Sequence, residues 1–108
     1  MKRLWILLAA SACVASQAQA ALDNTTAETM MKKDGCAACH AIDKKLVGPP
    51  YVDVAAKYKG DKDALAKLSE KVKKGSTGVW GPIPMPPNLT VSDADIKELV
   101  TWILTLKK

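Results

Sequence analysis

The chain has 108 residues, room for one domain, and lacks phenylalanine altogether. Sixteen Lys and Arg against 11 Asp and Glu give a formal net charge of +5. Lysines and acids alternate instead of forming a basic tract, which argues against nucleic-acid binding, and no apolar run reaches the ~20 residues of a membrane-spanning helix.

Residues 1–20 read as a secretory signal peptide. Lys2 and Arg3 form a basic start, Leu4 to Val14 an apolar stretch broken only by Ser11, and Ala18-Gln19-Ala20 a small-residue cleavage site that leaves Ala21 as the new N-terminus. Cys13 lies inside the apolar stretch after Ala10-Ser11-Ala12, without the leucine that usually precedes a lipid-bearing cysteine. It reads as a small apolar residue removed with the leader. The expected mature domain is 21–108, an exported chain with no stable membrane anchor. With Lys2 and Arg3 gone, 14 lysines against 11 acids give +3. Four aromatic residues remain, Tyr51, Tyr58, Trp80 and Trp102. So small a domain with so few large side chains calls for a covalent or metal staple.

Thr25 and Glu28 form a Thr-x-x-Glu capping box that predicts a first helix over 26–33, stopped by Asp34-Gly35. Residues 36–41 follow as one tight turn, and Lys44 to Pro50 as a loop directed by Gly48-Pro49-Pro50. A short helix is predicted over 52–58, with Val52, Ala55 and Ala56 on one face. Asp61 suits the N-cap of a third helix over 62–73, whose apolar stripe is Leu65, Leu68 and Val72 and whose end is marked by Gly75. Residues 75–91 lack periodicity and carry Gly75, Gly78, Gly81, Pro82, Pro84, Pro86 and Pro87. An irregular stretch of that length in a small domain points to function, and its prolines make it stiff. Ser92 and Asp95 start a last helix reaching Leu106, with Ile96, Leu99, Val100, Ile103 and Leu104 at helical spacing. No segment reads as a strand, so the expected fold is all-α, four to five short helices in one domain.

The chemistry centres on Cys36-Ala37-Ala38-Cys39-His40. Two cysteines three positions apart, followed at once by histidine, form an attachment site for c-type haem, with one thioether from each thiol and the imidazole on the iron. His40 is the only histidine, so the second axial position falls to methionine, cysteine, lysine or an open site. Met1 and Cys13 leave with the leader, and Met30 and Met31 sit on the first helix beside the attachment site. Met85 lies between Pro84 and Pro86, 45 residues beyond His40, and is the natural partner. A thioether favours ferrous iron, and a filled coordination sphere describes an electron carrier rather than a catalyst. Other readings of Cys-x-x-Cys are a thioredoxin-like dithiol, a structural disulfide or a zinc site; the first wants a βαβ setting and the last wants four ligands. Trp80 is either plain core or a donor to a haem propionate, while Trp102 reads as packing.

Cys36 to Ile42, Val47-Gly48-Pro49, the run Gly78-Val79-Trp80-Gly81-Pro82-Ile83-Pro84-Met85-Pro86-Pro87-Asn88 and the Trp102 helix resemble the small bacterial class I cytochromes of the c-551/c-552 (cytochrome c8) type. The resemblance spans essentially residues 22–107. It implies one covalently bound haem c per chain in a compact helical fold, and a monomeric periplasmic one-electron carrier that is not an enzyme. Such carriers dock transiently between respiratory membrane complexes and nitrite reductases, peroxidases or terminal oxidases. The resemblance also implies that Pro49 gives its carbonyl to His40, that Trp80 donates to a propionate, and that Asn88 hydrogen-bonds near the Met85 sulfur and tunes its potential. Lys71 stands where some members carry an arginine close to a propionate. The rivals are a haem enzyme or gas sensor with an open iron site, and a dithiol redox protein.

Overall fold

Asp23, not Thr25, starts the first helix. In the computed structural model, which describes residues 22–108, its Oδ1 accepts the backbone N–H of Thr26 at 2.7 Å. Helix α1 accordingly runs Asn24–Lys33, and Thr25 lies inside it. An aspartate is at least as good a cap as a threonine, so the earlier site wins and the predicted capping box does not form. The leader, its cleavage site and Cys13 lie outside the described residues.

A single 3-10 turn, Cys36–Ala38, follows α1 after Gly35, whose φ of +80° lets the chain leave the helix abruptly. Helix α2, Tyr51–Lys57, begins one residue before expectation because Pro50 serves as its N-cap. Helix α3 is Ala64–Lys74 and starts two residues late. The Asp61 carboxylate accepts Asp63 N–H at 2.9 Å and Lys67 Nζ at 2.8 Å, so it closes the preceding turn instead of capping the helix. Helix α4, Asp93–Thr105, has the expected cap: Ser92 Oγ accepts Asp95 N–H at 3.1 Å. Among the described residues there is no strand, and one isolated antiparallel bridge joins Ser76 to Met85.

Helix α4 is the hub, touching α1, α2 and α3. Its Ile96, Leu99, Val100, Trp102 and Ile103 form the core with Ala27 and Met31 of α1, Tyr51 and Val54 of α2 and Leu68 of α3. Burying side chains of this kind contributes about 1.5–3 kcal/mol each. Trp102 is 1% exposed and packs as its helical position predicts. Its Nε1 donates to Asn24 Oδ1 at 3.0 Å, tying the last helix to the first.

The proline-rich loop is fastened to the end of α3. Ser76 N–H donates to Met85 O at 3.0 Å, Met85 N–H to Ser76 O at 2.8 Å, and Asn88 N–H to Val72 O at 2.9 Å. Gly75 makes this approach possible. Its φ is +83°, and a Cβ there would lie 2.7 Å from Met85 O.

Candidate haem site

The turn at Cys36–Ala38 is wound by Cys39 N–H and His40 N–H, which both donate to Cys36 O at 3.1 and 2.9 Å. That geometry turns Cys36, Cys39 and His40 toward one cavity of about 440 Å³. Both cysteines are free thiols and half-buried. Burial pushes the Cys36 thiol above its ordinary value of 9.0, the hydrogen bond from Tyr51 opposes this, and the charge of Asp34 adds to it.

Three backbone hydrogen bonds lace Gly48 and the start of α2 to the motif and the two residues after it. Gly48 N–H donates to Cys39 O at 2.8 Å, Tyr51 N–H to Ala41 O at 3.0 Å and Val52 N–H to Ile42 O at 3.0 Å. This lacing delivers the Pro49 carbonyl to His40 Nδ1 at 2.9 Å. A carbonyl can only accept, so the contact fixes the proton on Nδ1 and leaves the Nε2 lone pair available as a donor to a metal.

Met85 enters the same cavity from the proline-rich loop, half-buried, as do Lys71 from α3 and the exposed Trp80. Trp80 lies at the cavity and not among the buried core residues. Lys57 Nζ stands 5.3 Å from the centre of its ring. Asn88 anchors the far end of the loop. Its Nδ2 donates to Asp34 O at 2.9 Å, while its Oδ1 accepts from Thr90 N–H, Thr90 Oγ1 and Val91 N–H, each at 3.3 Å. Asn88 thus ties the loop to the end of α1 and to the stretch leading into α4.

One residue of the site was missed by sequence reasoning. Tyr51 is 7% exposed, and its ring stacks on the His40 imidazole at 4.8 Å between centroids with 17° between planes. Its other neighbour is Trp102, edge-on at 6.0 Å. Burial, then the nearby Cys36, raises its hydroxyl pKa, so it stays a neutral donor. The available signal was an aromatic immediately after Pro49-Pro50 in a chain with so few.

The donor set suits a covalently held porphyrin. Two thiols and an imidazole share one wall, a thioether is present, and Leu46, Val47, Val54, Leu68, Ile83 and Leu99 supply an apolar lining. The zinc and thioredoxin readings find no support among the described residues, where no three His, Cys, Asp or Glu side chains converge as a metal site and no βαβ unit occurs.

The comparison with known families agrees. The family model for cytochrome c matches residues 25–107. The chain belongs to the cytochrome c family. It is 53% identical over 109 residues to cytochrome c-552 of Nitrosomonas europaea, covering 99% of this chain and 100% of the relative. It is 56% identical over 80 residues to cytochrome c-551 of Pseudomonas aeruginosa, covering 74% of this chain and 76% of that one. The crystal structure of wild-type Nitrosomonas europaea cytochrome c552 matches with a TM-score of 0.72 at 56% identity, covering 74% of this chain and 99% of that chain. The fold is therefore that of an all-α, single-domain class I cytochrome of the c-551/c-552 type, and its relatives are small electron carriers. Haem c is the covalently attached cofactor of this cytochrome, and Cys36 and Cys39 fit its attachment motif.

Proposed function

We propose that the chain is a soluble periplasmic monohaem cytochrome, exported by the leader 1–20 and working as the domain 21–108, with His40 and Met85 as the two axial ligands. The observation that carries this reading is the shared cavity. His40 and Met85 reach it from separate segments, each with its backbone pinned by paired hydrogen bonds. Haem held there supplies a one-electron Fe(III)/Fe(II) couple.

The protein's own residues set how that couple behaves. Pro49 keeps the His40 proton on Nδ1, so Nε2 is the donor atom. The Met85 thioether is a soft ligand that favours the reduced state and raises the potential. Apolar walls from α2, α3 and α4 would shield the cofactor, and Trp80 and Lys71, which line the cavity, would meet its propionates. With His40 and Met85 both holding the iron, no position would remain for a substrate, and the chain would act as a carrier and not as an enzyme.

The apolar residues Leu46, Val47 and Ile83 at the cavity mouth would border the edge of the bound haem, where a redox partner docks. Contacts of this kind release quickly, and surrounding lysines assist encounter. The proposed partners are cytochrome donors linked to membrane complexes, and reductases, peroxidases or oxidases as acceptors, met by a monomer. Among the described residues, no helix is long and apolar enough to cross a membrane.

Absorption spectra of the air-oxidised and dithionite-reduced protein test the reading. A c-type haem spectrum with a sulfur-to-iron charge-transfer band supports it. A missing band removes Met85 as ligand, and rapid carbon monoxide binding by the reduced protein favours an open-site sensor or enzyme.

A further inference from the structure

His40 is held by more than its hydrogen bond to Pro49. A Cβ built on Gly48 would lie 2.6 Å from His40 Cε1, 2.9 Å from Nδ1 and 3.1 Å from Nε2. Near-equal distances to three ring atoms place that Cβ over a face of the imidazole, not at its edge. The Gly48 backbone therefore runs against the ring so closely that no side chain fits. Its φ is not in the left-handed region, so close approach alone accounts for the glycine. The Tyr51 ring lies nearly parallel to the same imidazole, 17° between planes and 4.8 Å between centroids. Tyr51 is itself immobilised. It is 7% exposed, backed edge-on by Trp102, and its N–H is bound to Ala41 O at 3.0 Å.

We propose that Tyr51 and Gly48 are positioning residues that set the plane of the His40 imidazole, fixing its rotation about the bond its Nε2 makes. A hydrogen bond at Nδ1 holds the direction in which Nε2 points, but the tilt of the ring about the line through the two nitrogens is limited only by the Cβ tether and by what packs on its faces. Flat groups packed against the ring restrict that tilt. The orientation of an axial imidazole, together with that of the thioether, shapes which orbitals of ferric iron carry the unpaired electron, so the effect has a spectroscopic readout separate from stability. The inference rests on the proposed ligation by His40.

The test uses the haem-loaded protein, with Tyr51→Phe, Tyr51→Leu and Gly48→Ala compared with wild type by proton NMR of the ferric form, EPR and midpoint potential. Tyr51→Phe keeps the stacked ring and should keep the wild-type pattern of haem-methyl shifts and the EPR g-values. Tyr51→Leu removes the flat partner, and Gly48→Ala forces the imidazole away; both should change the shift pattern and the g-values. A Tyr51→Leu protein that loses thermal stability with unchanged spectra overturns the proposal, since Tyr51 is then only core. Should Tyr51→Leu or Gly48→Ala fail to take up haem, the reduced wild-type protein decides. Nuclear Overhauser contacts between the Tyr51 and His40 rings support the proposal, and their absence overturns it. If wild type shows no haem-shifted imidazole resonances, the ligation by His40 falls first and the inference falls with it.

Discussion

Met85 and His40 have opposite local chemistry. The imidazole is fixed at Nδ1 by a carbonyl, whereas the thioether depends on a backbone that cannot wander. On the proposed ligation, replacing Met85 by alanine should leave attachment at Cys36 and Cys39 intact and open one side of the iron. The expected outcome is loss of the sulfur-to-iron band, a lower midpoint potential and rapid carbon monoxide binding, read by absorption spectroscopy and redox titration. Two surface carboxylates make small contributions to the acid side of the stability profile. The Asp23 carboxyl sits below its ordinary value of 3.8 because it accepts hydrogen bonds from Thr26, backbone first. Asp61 sits below 3.8 chiefly through its hydrogen bond from Lys67, with that of Asp63 N–H next. Each contribution is complete above the ordinary carboxylate value and disappears as pH falls through the lowered folded value. Lys67 behaves in the reverse sense. Its pKa is raised above 10.5 by Asp61, so its contribution is present below that value and is lost as pH rises past the folded one. Asp23→Asn preserves a capping oxygen and should retain neutral-pH stability while flattening the acid limb, checked by thermal midpoints between about pH 2 and pH 6.

At the scale of elements, the junction between α3 and the ligand loop is the sensitive place. Gly75→Ala would put a Cβ 2.7 Å from Met85 O and 3.1 Å from Pro87 N, at a φ of +83° that a side chain rarely adopts. A destabilisation of about 1–3 kcal/mol is expected in denaturant titrations, with the charge-transfer band weakened before the helices unfold. Much of this architecture was legible beforehand. The periodicity of Ile96, Leu99, Val100 and Ile103 gave α4 and its buried face, and Ser92 gave its cap. Cys36, Cys39 and His40 gave the haem motif because their chemistry is written in adjacent positions. Boundaries were less readable where two capping residues competed, as Asp23 did with Thr25, or where an aspartate had other partners, as Asp61 does. The Ser76–Met85 bridge and the Tyr51 stack were invisible for a different reason. Both depend on long-range placement of backbone or ring, which no local pattern of residue types encodes.

For the molecule as a whole, the cavity reaches into the same side chains that form the core. Val54, Leu68, Ile96, Leu99, Val100 and Ile103 line it and also hold the helices together. Cofactor and fold are therefore coupled, and haem acts as the largest apolar group in a domain without phenylalanine. Chain produced without haem attachment should show much reduced helical circular dichroism and a broad, poorly cooperative thermal transition, while the holoprotein unfolds sharply. Equal cooperativity in the two forms would show that the helices stand without the cofactor. The pairing of Ser76 with Met85 has a kinetic consequence at this scale. Both hydrogen bonds belong to the Met85 main chain, so a broken iron–sulfur bond frees the side chain and leaves its anchor in place. On the proposed ligation, the sulfur stays at high effective concentration beside the metal, and recapture is unimolecular. An external ligand at ordinary concentration must outrun that return, so the bridge guards the sixth coordination position even at moments when it is momentarily open.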